Sequence, residues 1–218
     1  MKKIFSLIFI TITSWNYSIK AQAVSGDNDE VNRYLETWNN ESINDTLRLD
    51  AFNKAIWIIK NNNLDSAFVL AAQSYEYALE KGIKNKIARA TNIKGVIFKL
   101  KGREKEALEY YQKSLSIYKE INDVRGITIQ NNNIATIFTS SGESQKSFDL
   151  LMINYKLFNE INDTALQIVT MSNLYYECFR LNKPDSSLLF LNQAIELSKK
   201  HSKSYNLSGL YRFMSGRF

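Results

Sequence analysis

The chain has 218 residues, of which 44% are hydrophobic and 23% charged, enough apolar material for a continuous core at an ordinary charge density. One proline and eight glycines disfavour a turn-rich β fold and leave room for long helices. The formal net charge is +6, but three lysines fall in a leader expected to be removed, which leaves 25 basic against 22 acidic residues; an excess so small and so dispersed argues against nucleic-acid binding.

Residues 1–23 have the pattern of a secretory signal. Lys2 and Lys3 give a positive start, Ile4 to Ile12 is an apolar run, and Ala21-Gln22-Ala23 has the small-x-small form of a cleavage site. The apolar run is about half the ~20 residues that span a bilayer, so no transmembrane helix is expected after cleavage near Ala23. The mature chain is therefore expected to be exported, to the periplasm or the extracellular space. Its only cysteine, Cys178, cannot form a disulfide within the chain, so stability has to come from packing. Residues 24–45 are expected to form an N-terminal segment with a capping helix.

From residue 46 onward the chain repeats itself every forty positions. Glu120-Ile121-Asn122-Asp123 returns as Glu160-Ile161-Asn162-Asp163. Small residues align at Ala67, Ala107, Ser147 and Ser187, and again at Ser74, Ser114, Asn154 and Ala194. Ala55, Gly95 and Ala135 form another column that Tyr175 breaks, and Ile58, Phe98, Phe138 and Cys178 form a bulkier one. Within a copy the spacing is helical: Leu108, Tyr111, Leu115 and Tyr118 make one stripe, and Ile93, Val96, Ile97 and Leu100 another. Gly102 stands where a tight helix-to-helix turn needs positive φ. The predicted helix pairs are 46–61 with 64–81, 84–101 with 103–121, 123–141 with 143–161, and 163–181 with 184–201. Asp123 and Asp163 are predicted N-caps, and Pro184 suits a first helical turn. The runs Asn61-Asn62-Asn63 and Asn131-Asn132-Asn133 are attributed to compositional bias rather than to function.

Gly95, Phe98, Gly102, Ala107, Tyr111 and Ser114 follow a small, aromatic, glycine, alanine, aromatic, small order that resembles the tetratricopeptide (TPR) repeat in its forty-residue variety. The resemblance covers about residues 46–218 and implies an all-α, right-handed superhelical solenoid of antiparallel helix pairs. Its copies would span about 46–82, 83–122, 123–162 and 163–202, with a partial fifth at 203–218. The stretch from Asn44 to Ala67 also resembles the first copy in exported repeat regions of bacterial sensor and regulatory proteins.

No phosphate-binding glycine loop or metal-ligand spacing occurs, and neither cofactor nor metal is expected. A Cys–His pair would have to join Cys178 to His201. Cys178 falls on a core column, and His201 closes a helix behind Lys199 and Lys200, where a cation suits the helix dipole. Glu104 and Glu106 stand two apart and do not share a helix face.

By the same resemblance, the first helix of each pair lines a concave groove that holds a peptide or a partner protein. The frame places Phe52, Ile56 and Ile59 there in the first copy. Arg89, Asn92, Val96 and Lys99 follow in the second copy, and Ile129, Asn132, Thr136 and Thr139 in the third. Val169, Ser172, Tyr176, Phe179 and Arg180 come from the fourth, with Arg212 beyond. Asn92 and Asn132 hold equivalent positions and can both donate to and accept from an extended backbone. Arg89, Lys99, Arg180 and Arg212 can hold carboxylates. The expected function is a non-enzymatic, exported scaffold for a protein or peptide, with self-association through the C-terminal helix as a further expectation. Two alternatives remain: the sensing repeats of a longer signalling protein, of histidine-kinase or helix-turn-helix type, and an enzyme with an unrecognised site.

Overall fold

The computed structural model describes residues 28–161 and 163–200. The expected leader, His201, Arg212 and the expected partial fifth copy lie outside the described residues. Among those described, all regular structure is helical: α1 (Asp29–Asn39), α2 (Asp45–Ile59), α3 (Leu64–Glu80), α4 (Lys84–Leu100), α5 (Glu104–Glu120), α6 (Val124–Ser140), α7 (Ser144–Lys156), α8 (Thr164–Arg180) and α9 (Pro184–Lys200). A short 3-10 turn, Phe158–Glu160, follows α7.

The turns repeat every twenty residues. Gly82, Gly102, Asn122, Gly142 and Asn182 all have φ between 54° and 79°. At each, the next amide reaches back to a carbonyl five residues earlier, as from Arg103 N to Phe98 O at 2.9 Å and from Lys183 N to Cys178 O at 2.9 Å. That bond closes a helix through a left-handed residue, which glycine and asparagine adopt most readily. Helix starts are capped by short side chains. Asn28, Asn44, Asn63, Asp123 and Asp163 each accept the amide three residues on, at 2.9–3.3 Å. Compositional bias therefore does not account for all the asparagines: three of them cap helices, and two occupy left-handed turns.

α7 ends at Lys156, several residues short of the predicted 161. The chain tightens into the 3-10 turn, and Gln167 Nε2 donates to the carbonyls of Phe158 and Ile161, both at 3.0 Å. A side chain from the following helix thus satisfies acceptors that a longer α7 would have used itself.

The chain divides into two compact units, one through Tyr110 and one from Tyr111. In the first, the core gathers Val31 and Leu35 of α1, Phe52, Ile56 and Ile59 of α2, Ala67, Leu70 and Ala71 of α3, and Ile93 and Ile97 of α4. Trp38 stacks on Phe52 at 4.4 Å and meets the Tyr77 ring edge-on at 4.9 Å. Arg48 binds the Trp38 carbonyl and the Tyr77 hydroxyl, which joins α1, α2 and α3. α1 is itself part of the repeat: Val31, Ala71, Tyr111, Leu151 and Leu191 are forty residues apart and all buried. It is the second helix of a copy that precedes the first predicted one.

In the second unit, Ala135, Leu151, Leu174, Cys178 and Phe190 make one cluster, and Ile168, Met171, Leu191 and Ala194 another. Tyr155 borders both, with its ring edge-on to Phe158 and Phe190. Beneath them α6 and α7 share buried amides. Asn131 donates to Asn154 Oδ1 at 2.8 Å, and Asn154 donates to the Thr128 carbonyl at 3.0 Å.

Candidate functional site

In the first unit, α4 carries four lysines, one arginine and no acid. Two of these cations converge on one carboxylate of α2: Lys86 Nζ and Arg89 Nη1 lie 2.5 and 3.2 Å from Asp50 Oδ1. Lys86 is buried, whereas Arg89 keeps part of its guanidinium in solvent. Asn92, Val96 and Lys99 continue the same face of α4, all partly buried. Burial pushes the Lys99 ammonium below its usual range, with Glu104 acting in the opposite direction. An incompletely solvated cation gains more than an exposed one from an anionic ligand.

Phe52, Ile56 and Ile59 do not lie on an open surface. They are core residues, because Ile93 and Ile97 of α4 and the aromatic side of α1 close over them. The open stripe of α2 is instead Leu47, Asp50, Lys54 and Trp57. The hydrophobic frame alone could not reveal this, since both stripes contain apolar residues.

In the second unit, the seam between α6 and α8 is polar. Asn132 Nδ2 donates to Thr170 Oγ1 at 3.0 Å. The Thr139 hydroxyl donates to Glu177 Oε1, and Ser147 Oγ stands 3.0 Å from the same hydroxyl. Arg180 Nη1 donates to the Thr139 carbonyl at 2.9 Å, and its guanidinium lies 5.7 Å from the Tyr176 ring centre. Thr139 lies in the last turn of α6, so the cation sits at the negative end of that helix. At the opposite end, Arg125 Nε donates to Asp163 Oδ2 at 2.8 Å, the carboxylate that also caps α8. Asn132 and Arg180 thus join neighbouring first helices, and Thr136 turns its hydroxyl to the Asn133 carbonyl at 2.7 Å.

What α8 leaves toward solvent is Val169, Tyr176, Phe179 and Arg180, with Phe179 63% exposed. Cys178, one residue away, is fully buried, and that burial raises its thiol pKa. Glu177 is 1% exposed at a position where α4 and α6 have Ile97 and Ile137. Among the described residues no helix is long and apolar enough to cross a membrane.

Helix pairs in unbroken succession, closed by left-handed turns at a fixed interval, define a TPR-like α-solenoid. Solved structures share this fold. BtubC (BKLC) from P. vanneervenii superposes with a TM-score of 0.62 over 79% of this chain and 72% of its own, at 14% identity. A kinesin light chain-type protein of Podosopora anserina with nearly identical TPR-like repeats gives 0.56 over 89% and 98%, at 12% identity. No family model matches the chain. Among curated proteins, the Photosystem I assembly protein Ycf3 of Prochlorococcus marinus strain NATL1A is 30% identical over 152 residues, 67% of this chain and 83% of that protein. Ycf3 of a second strain of Prochlorococcus marinus is 29% identical over 151 residues, with the same coverage. The chain belongs to the tetratricopeptide-repeat family.

Proposed function

We propose that the chain is a non-enzymatic scaffold that holds a peptide or a partner protein against the open faces of its first helices. The observation that carries this reading is the surface of α8, where Val169, Tyr176 and Phe179 lie along one helix beside Arg180. Phe179 is exposed and Tyr176 half-buried, and aromatic side chains next to an arginine are residue types that dominate protein interfaces. In the first unit, Arg89, Asn92 and Lys99 set cations and an amide around Val96, a composition suited to an extended polypeptide. The name of the Prochlorococcus relatives contains the word assembly. For this chain it favours a holder of polypeptides during the building of a larger complex. The leader at Lys2 to Ala23 supports work outside the cytoplasm.

The test is crosslinking in the native envelope, followed by identification of the attached polypeptide and repetition with Tyr176→Ala/Phe179→Ala and with Arg89→Glu. Loss of the crosslink with an unchanged circular dichroism spectrum is the expected result. Undiminished crosslinking in both variants would remove these faces from the function. N-terminal sequencing of the mature protein is expected to begin at Val24.

A further inference from the structure

The frame shows where each first helix receives the one before it. Thr170 and Glu177 of α8 take contacts from Asn132 and Thr139 of α6, and Ile97 of α4 packs among Phe52 and Ile59 of α2. Carried back by forties, the receiving positions on α2 are Asp50 and Trp57, with Leu47 and Lys54 on the same stripe. Later copies bury the Trp57 position as Ile97, Ile137 and Glu177, none more than 4% exposed, whereas Trp57 itself is 46% exposed and Leu47 54%. α1 stands in the register of a second helix, and among the described residues no first helix ahead of it lies on α2.

The charge around this edge selects its occupant. Lys54 is exposed, Lys60 lies over the Trp57 ring at 4.2 Å, and Lys86 and Arg89 share the single carboxylate of Asp50. Lys54 and Lys60 thus flank two exposed apolar side chains, and the one carboxylate on this stripe, Asp50, is already paired.

We propose that the Leu47–Asp50–Lys54–Trp57 edge of α2 receives an acidic amphipathic helix of a partner polypeptide, laid parallel to α2 in the place of a preceding first helix. Apolar residues about ten apart on that helix cover Leu47 and Trp57, and its carboxylates meet Lys54 and Lys60. This surface is separate from the face proposed above to hold an extended peptide, so either can fail without the other.

The probe is a synthetic helical peptide as long as α4, 17 residues, with one leucine stripe flanked by glutamates. A counterpart carries lysines in their place, and both are titrated into the full chain. The expected result is saturable binding of the glutamate peptide with a blue shift of tryptophan emission that Trp57→Phe abolishes. Lys54→Glu/Lys60→Glu, both on the surface, is expected to weaken that peptide about tenfold or more and to favour the lysine peptide. Absence of binding, equal binding of both peptides, or indifference to the charge reversal overturns the proposal. So does a concentration-dependent dimer dissolved by Trp57→Glu, which would give the edge to a second copy of this chain.

Discussion

Where α4 meets α2, Ile93 and Ile97 pack among Phe52, Ile56 and Ile59; where α8 meets α6, Asn132 and Thr139 stand at the positions of Phe52 and Ile59, and face Thr170 and Glu177. The forty-residue frame therefore decides which positions touch but not what they are made of. The apolar seam of the first unit contributes free energy through burial and tolerates small slips. The polar seam of the second contributes less, because its groups give up water to form their bonds, but each bond fails outside a narrow geometry and so fixes register. The first unit also has the Trp38–Phe52 stack and a helix of the preceding copy over α2, whereas Glu177 in the second is a buried carboxylate with no hydrogen bond to Oε2.

The largest expected difference comes from truncating one side of each seam. Phe52→Ala should lower unfolding free energy by about 3–5 kcal/mol, since it leaves a cavity under Trp38. Asn132→Ala should lower it by about 1–2 kcal/mol, for the lost contact with Thr170, whose hydroxyl keeps its bond to the Leu166 carbonyl. Denaturant titrations that gave equal losses would erase the contrast between the seams. A change of opposite sign is expected next: Glu177→Ile, which restores the column of Ile97 and Ile137, should raise the stability of the second unit by about 1–3 kcal/mol at neutral pH. A loss there would mean that the carboxylate is stabilising after all.

The turns are a control, because the two units should not differ in them. Beyond their chain neighbours, no atom would stand within 4 Å of a methyl at Gly102 or Gly142, so Gly102→Ala and Gly142→Ala should each lose about 1–2 kcal/mol through backbone conformation alone. Unequal losses, read by equilibrium unfolding, would show that one turn is tightened by its surroundings. The smallest effect expected is at Arg125, whose side chain is mostly in solvent: Arg125→Ala should cost about 0–1 kcal/mol, and high salt should remove the difference.

Much of the helical plan was legible in residue types. The period, the pairing, and the placement of Asp123, Asp163, Gly102 and Pro184 follow from local chemistry: caps need a short acceptor, left-handed turns need glycine or asparagine, and close crossings need small side chains. α1 was foreseen as a cap, and its place in the repeat shows in the column through Val31 and Ala71, although its flanks match no other column well. The open surface was less legible. Phe52, Ile56 and Ile59 fit the groove frame but are covered, while Trp57 fits a buried column but is half exposed. Asn132 and Arg180 have the chemistry of ligands for a peptide, yet they bond to neighbouring helices.

From sequence alone came the helices, most of their ends and their forty-residue rhythm, because each depends on contacts within one turn or one pair. The tertiary structure decided which of several equally plausible stripes faces water. Exposure depends on whether a neighbouring helix lies against a residue, and a repeat has the same side-chain pattern whether or not that neighbour is there.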